Sequence, residues 1–372
     1  MAYTTNDNGQ EFFQADLYTG TGNTGATLAR TFDGNVDLNP GLLYMFKRTS
    51  GGNMHNIMTN EILGTGSIWL SSSGDSAADG ILDSFDSDGY THATANQGTY
   101  YHNENAKEYG VWAWKDMAAS SANNTDGTIT SSVRTDANLG LSYVRWTGTS
   151  ADGTIGHGLG KRPKAIWMYP VQVAANNGNT NRIWWWEANS WNHVINNALN
   201  ASQNSESDST NGRVGAFNSS SQGTSSVFSV FSGNSSYEGV NHSSQDYLAL
   251  VWTDVQGFSK FSSYKGNGNA NGAFVYTGFK PALIMIRGMH ATGTRCFDYR
   301  RDPDNQDDGH FVGVNDAQSE ISDANTKIDI LSNGFKIRCS HTGLNASGNK
   351  YGFCAWAENP FVTSTGTPTT AR

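Results

Sequence analysis

The chain repeats itself three times, and this constrains its fold more than any other feature. Each copy opens with an aromatic residue and a glycine-rich turn: YTGTGNTG from Tyr18 to Gly25, WTGTSADG from Trp146 to Gly153, and YKGNGNANG from Tyr264 to Gly272. A proline then leads into an apolar run, with Pro40 before GLLYMF, Pro163 before KAIWMY and Pro281 before ALIMI. Each copy closes on an aromatic run: YGVWAW ending at Trp114, YLALVW ending at Trp252 and YGFCAW ending at Trp356. From proline to closing tryptophan the separations are 74, 89 and 75 residues, so the middle copy carries a longer insertion. The turn FDSDGY (Phe85 to Tyr90) in the first copy matches LSNGFK (Leu331 to Lys336) in the third. Asp-Gly and Asn-Gly are both preferred residues of a two-residue hairpin.

A repeat of roughly 110 residues is too long for a propeller blade or a solenoid rung and long enough to bury its own core. Proline suits the entry to a strand, because it has no N–H to give to the ladder. The 42 glycines and the many Ser, Asn and Thr residues supply tight turns, and 11 Trp, 15 Tyr and 17 Phe supply large side chains for short strands. These features predict an all-β chain of three tandem antiparallel β-sandwich domains, jelly-roll-like, of seven or eight short strands each. The expected units are residues 11–118, 139–257 and 258–362, after an N-terminal extension at 1–10. Residues 119–138 read as a polar linker and 363–372 as a flexible tail. The near absence of a linker between the second and third units predicts that those two pack together, with the first hinged more loosely.

Several function classes are disfavoured. A net charge of -9 leaves no basic field for nucleic acid. No apolar run approaches the roughly 20 residues of a membrane helix, and the polar N-terminus predicts synthesis in a cytoplasm without a leader. The nine histidines are scattered, with no His-x-His or His-Glu-x-x-His spacing for zinc, and no Gly-x-Ser-x-Gly elbow is present. No catalytic residue, cofactor or metal site is therefore expected. Cys296, Cys339 and Cys354 are expected as buried free thiols.

Three sites merit attention. In IWWWEANSW (Ile183 to Trp191), strand alternation puts Trp184 and Trp186 on one face and Trp185 on the other. The plainer reading is that one face packs the second unit and the other a neighbour. The sharper one is that Trp184, Trp185 and Trp191 form a glycan-binding or interface platform. The acidic run RRDPDNQDDGH (Arg300 to His310) brings Asp302, Asp304, Asp307 and Asp308 together, as a Ca²⁺ loop would, but without EF-hand spacing, so a solvated or self-paired loop is favoured. Asp83, Asp86 and Asp88 belong to a hairpin turn.

The third copy, through SYKGNGNANGAFVYTGFKPALIMIR (Ser263 to Arg287), IDILSNGFKIR (Ile328 to Arg338) and NASGNKYGFCAWAENPF (Asn345 to Phe361), resembles an uncharacterised repeat domain of tail-tip, fibre and other structural proteins of phages of marine bacteria and cyanobacteria. The resemblance extends over essentially the whole chain and is weakest in the second copy. It implies a virion component made in the host cytoplasm, a tail fibre or tail-tip protein serving host attachment. The partners it implies are other virion proteins, a homo-oligomer with a trimer among its candidate states, and a host surface glycan or receptor. It supplies no catalytic or binding residues. A lectin-like module, a capsid decoration protein and, less favoured, a polysaccharide depolymerase are the alternatives.

Overall fold

A computed structural model describes residues 4, 6–22, 27–49, 56–65, 68–70, 76–77, 82–93, 102–118, 120–171, 183–187, 195–196, 223–230, 241–289, 293–305, 309–314 and 319–369. The fold is all-β; the helical segments among the described residues are a 3-10 turn at Gly9–Glu11 and one short α-helix, α1, at Thr342–Asn345. The first unit contains β1 (Phe13–Thr19), β2 (Leu28–Arg30), β3 (Pro40–Lys47), β4 (Ile57–Asn60), β5 (Ile68–Leu70), β6 (Ser76–Ala77), β7 (Leu82–Asp86), β8 (Gly89–His92) and β9 (Glu108–Lys115). They form a sheet of order β1-β9-β3-β4-β5-β6 and a smaller one of order β2-β8-β7.

The second unit runs through β10 (Ala122–Asn124), β11 (Ser131–Asp136), β12 (Leu141–Thr147), β13 (Gly153–Gly156), β14 (Ala165–Pro170), β15 (Ile183–Trp186), β16 (Ile195–Asn196), β17 (Val227–Val230) and β18 (Asp246–Trp252). Its sheets are β10-β11-β12-β18-β14-β15-β16 and β13-β17. The third comprises β19 (Ser259–Lys265), β20 (Phe274–Tyr276), β21 (Phe279–Gly288), β22 (Thr294–Asp298), β23 (His310–Gly313), β24 (Ile321–Ser322), β25 (Ile328–Leu331), β26 (Gly334–Ile337) and β27 (Lys350–Pro360). Here the order is β19-β27-β21-β22-β23-β24 beside β20-β26-β25.

In each unit the closing aromatic strand lies between the opening strand and the proline-led strand, in one shared register. Trp114 faces Phe13 and Leu42, Trp252 faces Leu141 and Ala165, and Trp356 faces Ser259 and Leu283. The proline-led strands β3 and β21 shift register just after Pro40 and Pro281, as a residue without an N–H requires.

The opening motif has a physical reason. Its aromatic ring stacks on the tyrosine that begins the closing strand: Tyr18 on Tyr109 at 5.2 Å, Trp146 on Tyr247 at 5.3 Å and Tyr264 on Tyr351 at 5.2 Å. Two residues later comes a glycine whose N–H donates to a carbonyl just before the closing strand: Gly20 to Lys107, Gly148 to Gln245 and Gly266 to Asn349, each at 2.8 Å. A Cβ on these glycines would lie 2.2, 2.1 and 2.3 Å from the carbonyl oxygens of Glu104, His242 and Ala346, so no other residue fits.

Alternation along the closing strand divides the packing. In the first unit Tyr109, Val111 and Ala113 join Leu82 and Tyr90 of the small sheet in one core, so the two sheets pack face to face. Trp112 and Trp114 point the other way, into a second core. The second unit repeats the division: Tyr247, Ala249 and Val251 pack with Phe228 and Val230, while Leu248, Leu250 and Trp252 enter the second core. That second core is common to all three units. At its middle Trp114, Trp252 and Trp356 meet pairwise, with centroids 5.9, 5.2 and 5.4 Å apart and planes at 58°, 74° and 71°.

The units thus close into a ring, which corrects the expectation of a first unit loosely hinged on a string. The first unit also bonds directly to the third: Tyr44 Oη donates to Val314 O at 2.9 Å and Asn56 Nδ2 to Gly313 O at 2.8 Å. The expected linker is also corrected. Residues 122–124 and 131–136 form the edge hairpin of the second unit, pairing onto β12. Its Ser, Thr and Asn residues read as a linker because an edge hairpin wets much of its surface. The expected flexible tail is held as far as residue 369: Ser364 N and Oγ donate to Asp7 at 2.6 and 2.7 Å, and Thr367 N donates to Thr363 Oγ1 at 3.0 Å. Hydrogen bonds rather than apolar burial hold it. Residues 370–372 of that tail lie outside the described residues.

At the seam of the first and third units Asp298, 2% exposed, accepts from Trp112 Nε1 at 2.9 Å through Oδ2 and from Arg301 N at 3.0 Å through Oδ1. The Arg301 guanidinium lies against Phe46 and Trp112, 5.1 and 5.8 Å from their centroids.

Trp252→Ala is expected to cost about 3–5 kcal/mol, the usual range for a buried tryptophan. Calorimetry should show the whole chain unfolding in one transition at a lower temperature, with no separate unfolding of the second unit. Asp298→Ala strands a buried guanidinium, with Glu320 at 3.6 Å as its remaining acidic neighbour. Urea denaturation should show a loss of about 3–5 kcal/mol.

Candidate functional site

Trp184, Trp185 and Trp186 are packing rather than platform. Trp184 is 6% exposed, stacks on Trp167 at 4.6 Å and 16°, and donates from Nε1 to Tyr169 Oη at 3.0 Å. Trp185 is fully buried in the second unit's own core, and Trp186 joins Trp184 in the shared one. Alternation therefore separates the three rings as the sequence implies, but neither Trp184 nor Trp185 offers a face to a sugar. Both sides of this strand are covered, one by the small sheet and the other by neighbouring units. Trp191 lies outside the described residues.

In the acidic run, Asp307 and Asp308 lie outside the described residues. The flanking arginines are engaged: Arg300 pairs with Asp33 of the first unit and Arg301 with Asp298. Among the described residues no group of three or more His, Cys, Asp or Glu side chains is placed to hold a metal. Asp86 accepts from Ser84 and Thr91 at 2.6 and 2.7 Å, and Asp88 Oδ1 accepts from Leu38 N at 3.0 Å, so both serve the hairpin and its neighbour. Cys296, Cys339 and Cys354 are buried and unbridged. Burial pushes the thiols of Cys296 and Cys354 well up, so they are poor nucleophiles. Among the described residues no helix is long and apolar enough to cross a membrane.

A cleft that the sequence reading missed lies at the seam of the second and third units. It has a volume of about 650 Å³ and is lined by Thr4, Lys161, Asp254, Gln256, Lys260 and Tyr276, among others. The N-terminal extension helps build it, since Thr4 Oγ1 donates to Gln256 O at 2.7 Å. Asp254 Oδ1 accepts from Phe261 N at 2.8 Å, and burial raises its carboxyl above the usual range. Lys260 Nζ donates to Tyr276 O at 3.1 Å and lies over the Tyr276 ring, 5.4 Å from its centroid. Tyr276 is 54% exposed; with Phe274, at 47%, it is the large apolar side chain most open to water among the described residues. The sequence signal was faint: the aromatic alternation FVY, where the first copy has Ala29-Arg30-Thr31.

His92 and His102 are structural. His92 packs against Tyr18 and Tyr90, and burial, then the Arg30 charge, drops its pKa to about 3. His102 is lowered too, mainly by burial. Both are neutral in the fold, whereas the unfolded chain binds protons below about pH 6.5. Stability is thus complete above pH 6.5 and falls as pH drops toward 3. Between pH 6.5 and 5 the loss from His92 is expected to be about 2 kcal/mol, and His102 adds to it in the same direction. Urea denaturation across this range checks it, with His92→Phe flattening the slope.

No curated protein matches the chain at a significant level. The family model of a domain of unknown function, DUF7483, matches residues 8–360. That span takes in all three units, the hairpin between the first and second, and the glycine at position 9 that packs on Ala357 and Glu358. The closed ring, rather than one of its copies, corresponds to the matched domain, and the chain belongs to the DUF7483 family.

Proposed function

We propose that this chain is a structural component of a bacteriophage virion, a tail-fibre or tail-tip protein contributing to host-surface attachment, with no enzymatic activity. The observation that carries the reading is the closed ring: three sandwich-like units sealed around Trp114, Trp252 and Trp356 make one body whose closing strands are buried on both faces. Such a body suits bearing load and presenting loops. Other virion proteins and further copies of this chain are the proposed partners, with a host glycan or receptor at the far end. The resemblance of the third copy to phage structural repeats supports the same assignment.

Immunogold labelling of purified particles with an antibody against the full chain tests it. Label at the tail is expected. Label spread over the head would make the chain a decoration protein, and unlabelled particles would sink the virion assignment.

A further inference from the structure

Among the described residues large exposed hydrophobic side chains are rare, which makes the pair on β20 informative. A Cβ on Gly334 would lie 2.1 Å from Val275 O, and one on Gly89 would lie 1.9 Å from Arg30 O, so β20 and β2 run past the same hairpin in the same way. By this equivalence Phe274 and Tyr276 stand where the first unit has Ala29 and Thr31. The fold does not need aromatic rings there. In the third unit they nevertheless face water, and Tyr276 lines a cleft whose other walls mix polar side chains with Val255, Phe361 and Val362.

We propose that this cleft is a saccharide-binding site, with a pyranose ring stacked on Tyr276 and its hydroxyls bonded to Asp254, Gln256 and the lysines. Its size lies within the range of small-ligand clefts. A half-exposed tyrosine offers a flat apolar face with little rotamer entropy to lose. Lys260 is bonded to the tyrosine's own carbonyl and lies over its ring, so the platform is held in place before ligand arrives. A carboxylate has about four lone-pair positions, and Phe261 N engages one oxygen of Asp254. Carboxylate, amide and ammonium groups together match the mixed donor and acceptor character of sugar hydroxyls. A nucleic acid would need a basic field that a chain of net charge -9 lacks. The site deepens the attachment reading, and rests on it only for the source of the sugar, a host surface polysaccharide.

The test uses the full chain on an array of bacterial lipopolysaccharide and capsular polysaccharide fragments, with positives titrated by calorimetry. Wild type should bind at least one fragment. Tyr276→Ala should weaken binding by about tenfold or more, while Tyr276→Phe, which keeps the face, should stay within about threefold. Unfolding midpoints should be unchanged, since the side chain is half in water. Wild type binding no fragment, Tyr276→Ala binding as wild type, or equal loss in both variants would each overturn the stacked-sugar site. Particle labelling reads separately: labelled tails with no sugar binding sink the cleft alone, and sugar binding with unlabelled particles sinks the virion assignment alone.

Discussion

Three indole rings from distant points of the chain close on one another, and every other layer of the structure is arranged around them. Trp114, Trp252 and Trp356 are each at most 1% exposed, and each touches the other two. Their indole N–H groups have no hydrogen-bond partner among the described residues. An unpaired buried N–H costs about 1–3 kcal/mol, so the centre holds because tilted and edge-to-face ring contacts and loss of water outweigh that cost. The contacts require all three strands at one register. Phe13, Trp167 and Phe261 then complete the shell at 5.1, 5.5 and 5.5 Å from Trp114, Trp252 and Trp356 respectively.

An apolar centre of three similar faces cannot by itself decide which unit sits beside which. The seams carry polar groups that differ. Between the first and third units lie Trp112, Asp298, Arg301, Glu320 and Arg48. Between the first and second, Arg134 reaches Glu61 at 3.0 Å and Asp116 at 2.9 Å, and Tyr143 Oη donates to Gly41 O at 2.9 Å. Burial and the adjoining Asp116 carboxyl push the Glu61 pKa up to about 9, against the pull of Arg134. Buried charged clusters of this kind contribute little net stability, but a wrong pairing would strand them, so they serve order rather than strength.

Much of this was legible in the sequence. The three landmarks fall on the opening, proline-led and closing strands because each answers a local constraint: ring stacking, a missing donor, and a central strand covered on both faces. The ring was not legible. Apolar residues on both faces of YGVWAW fit either a sandwich within one unit or packing between units, and strand period alone does not name the second partner. Residues 119–138 misled because composition reports wetting rather than pairing: Ser131 to Asp136 is a strand whose side chains stay partly in water. Trp184 and Trp185 left two readings open for the opposite reason, since a tryptophan-rich run fits a core and a surface platform alike until a second covering layer is known.

The same architecture limits where recognition can evolve. Residues on both faces of the closing strands are fixed by packing, and the turn glycines at 20, 148 and 266 are fixed by backbone contact. Sequence is free to diverge at the outer face of each small sheet, at the loops and at the seams. Divergence among the copies is visible at such a place: where the first unit has Ala29 and Thr31, the third has Phe274 and Tyr276. A ring of three copies can hold its centre constant while one copy acquires a surface the others lack. Chemistry peculiar to one unit and unexplained by packing is therefore the better guide to function here than the motifs all three share.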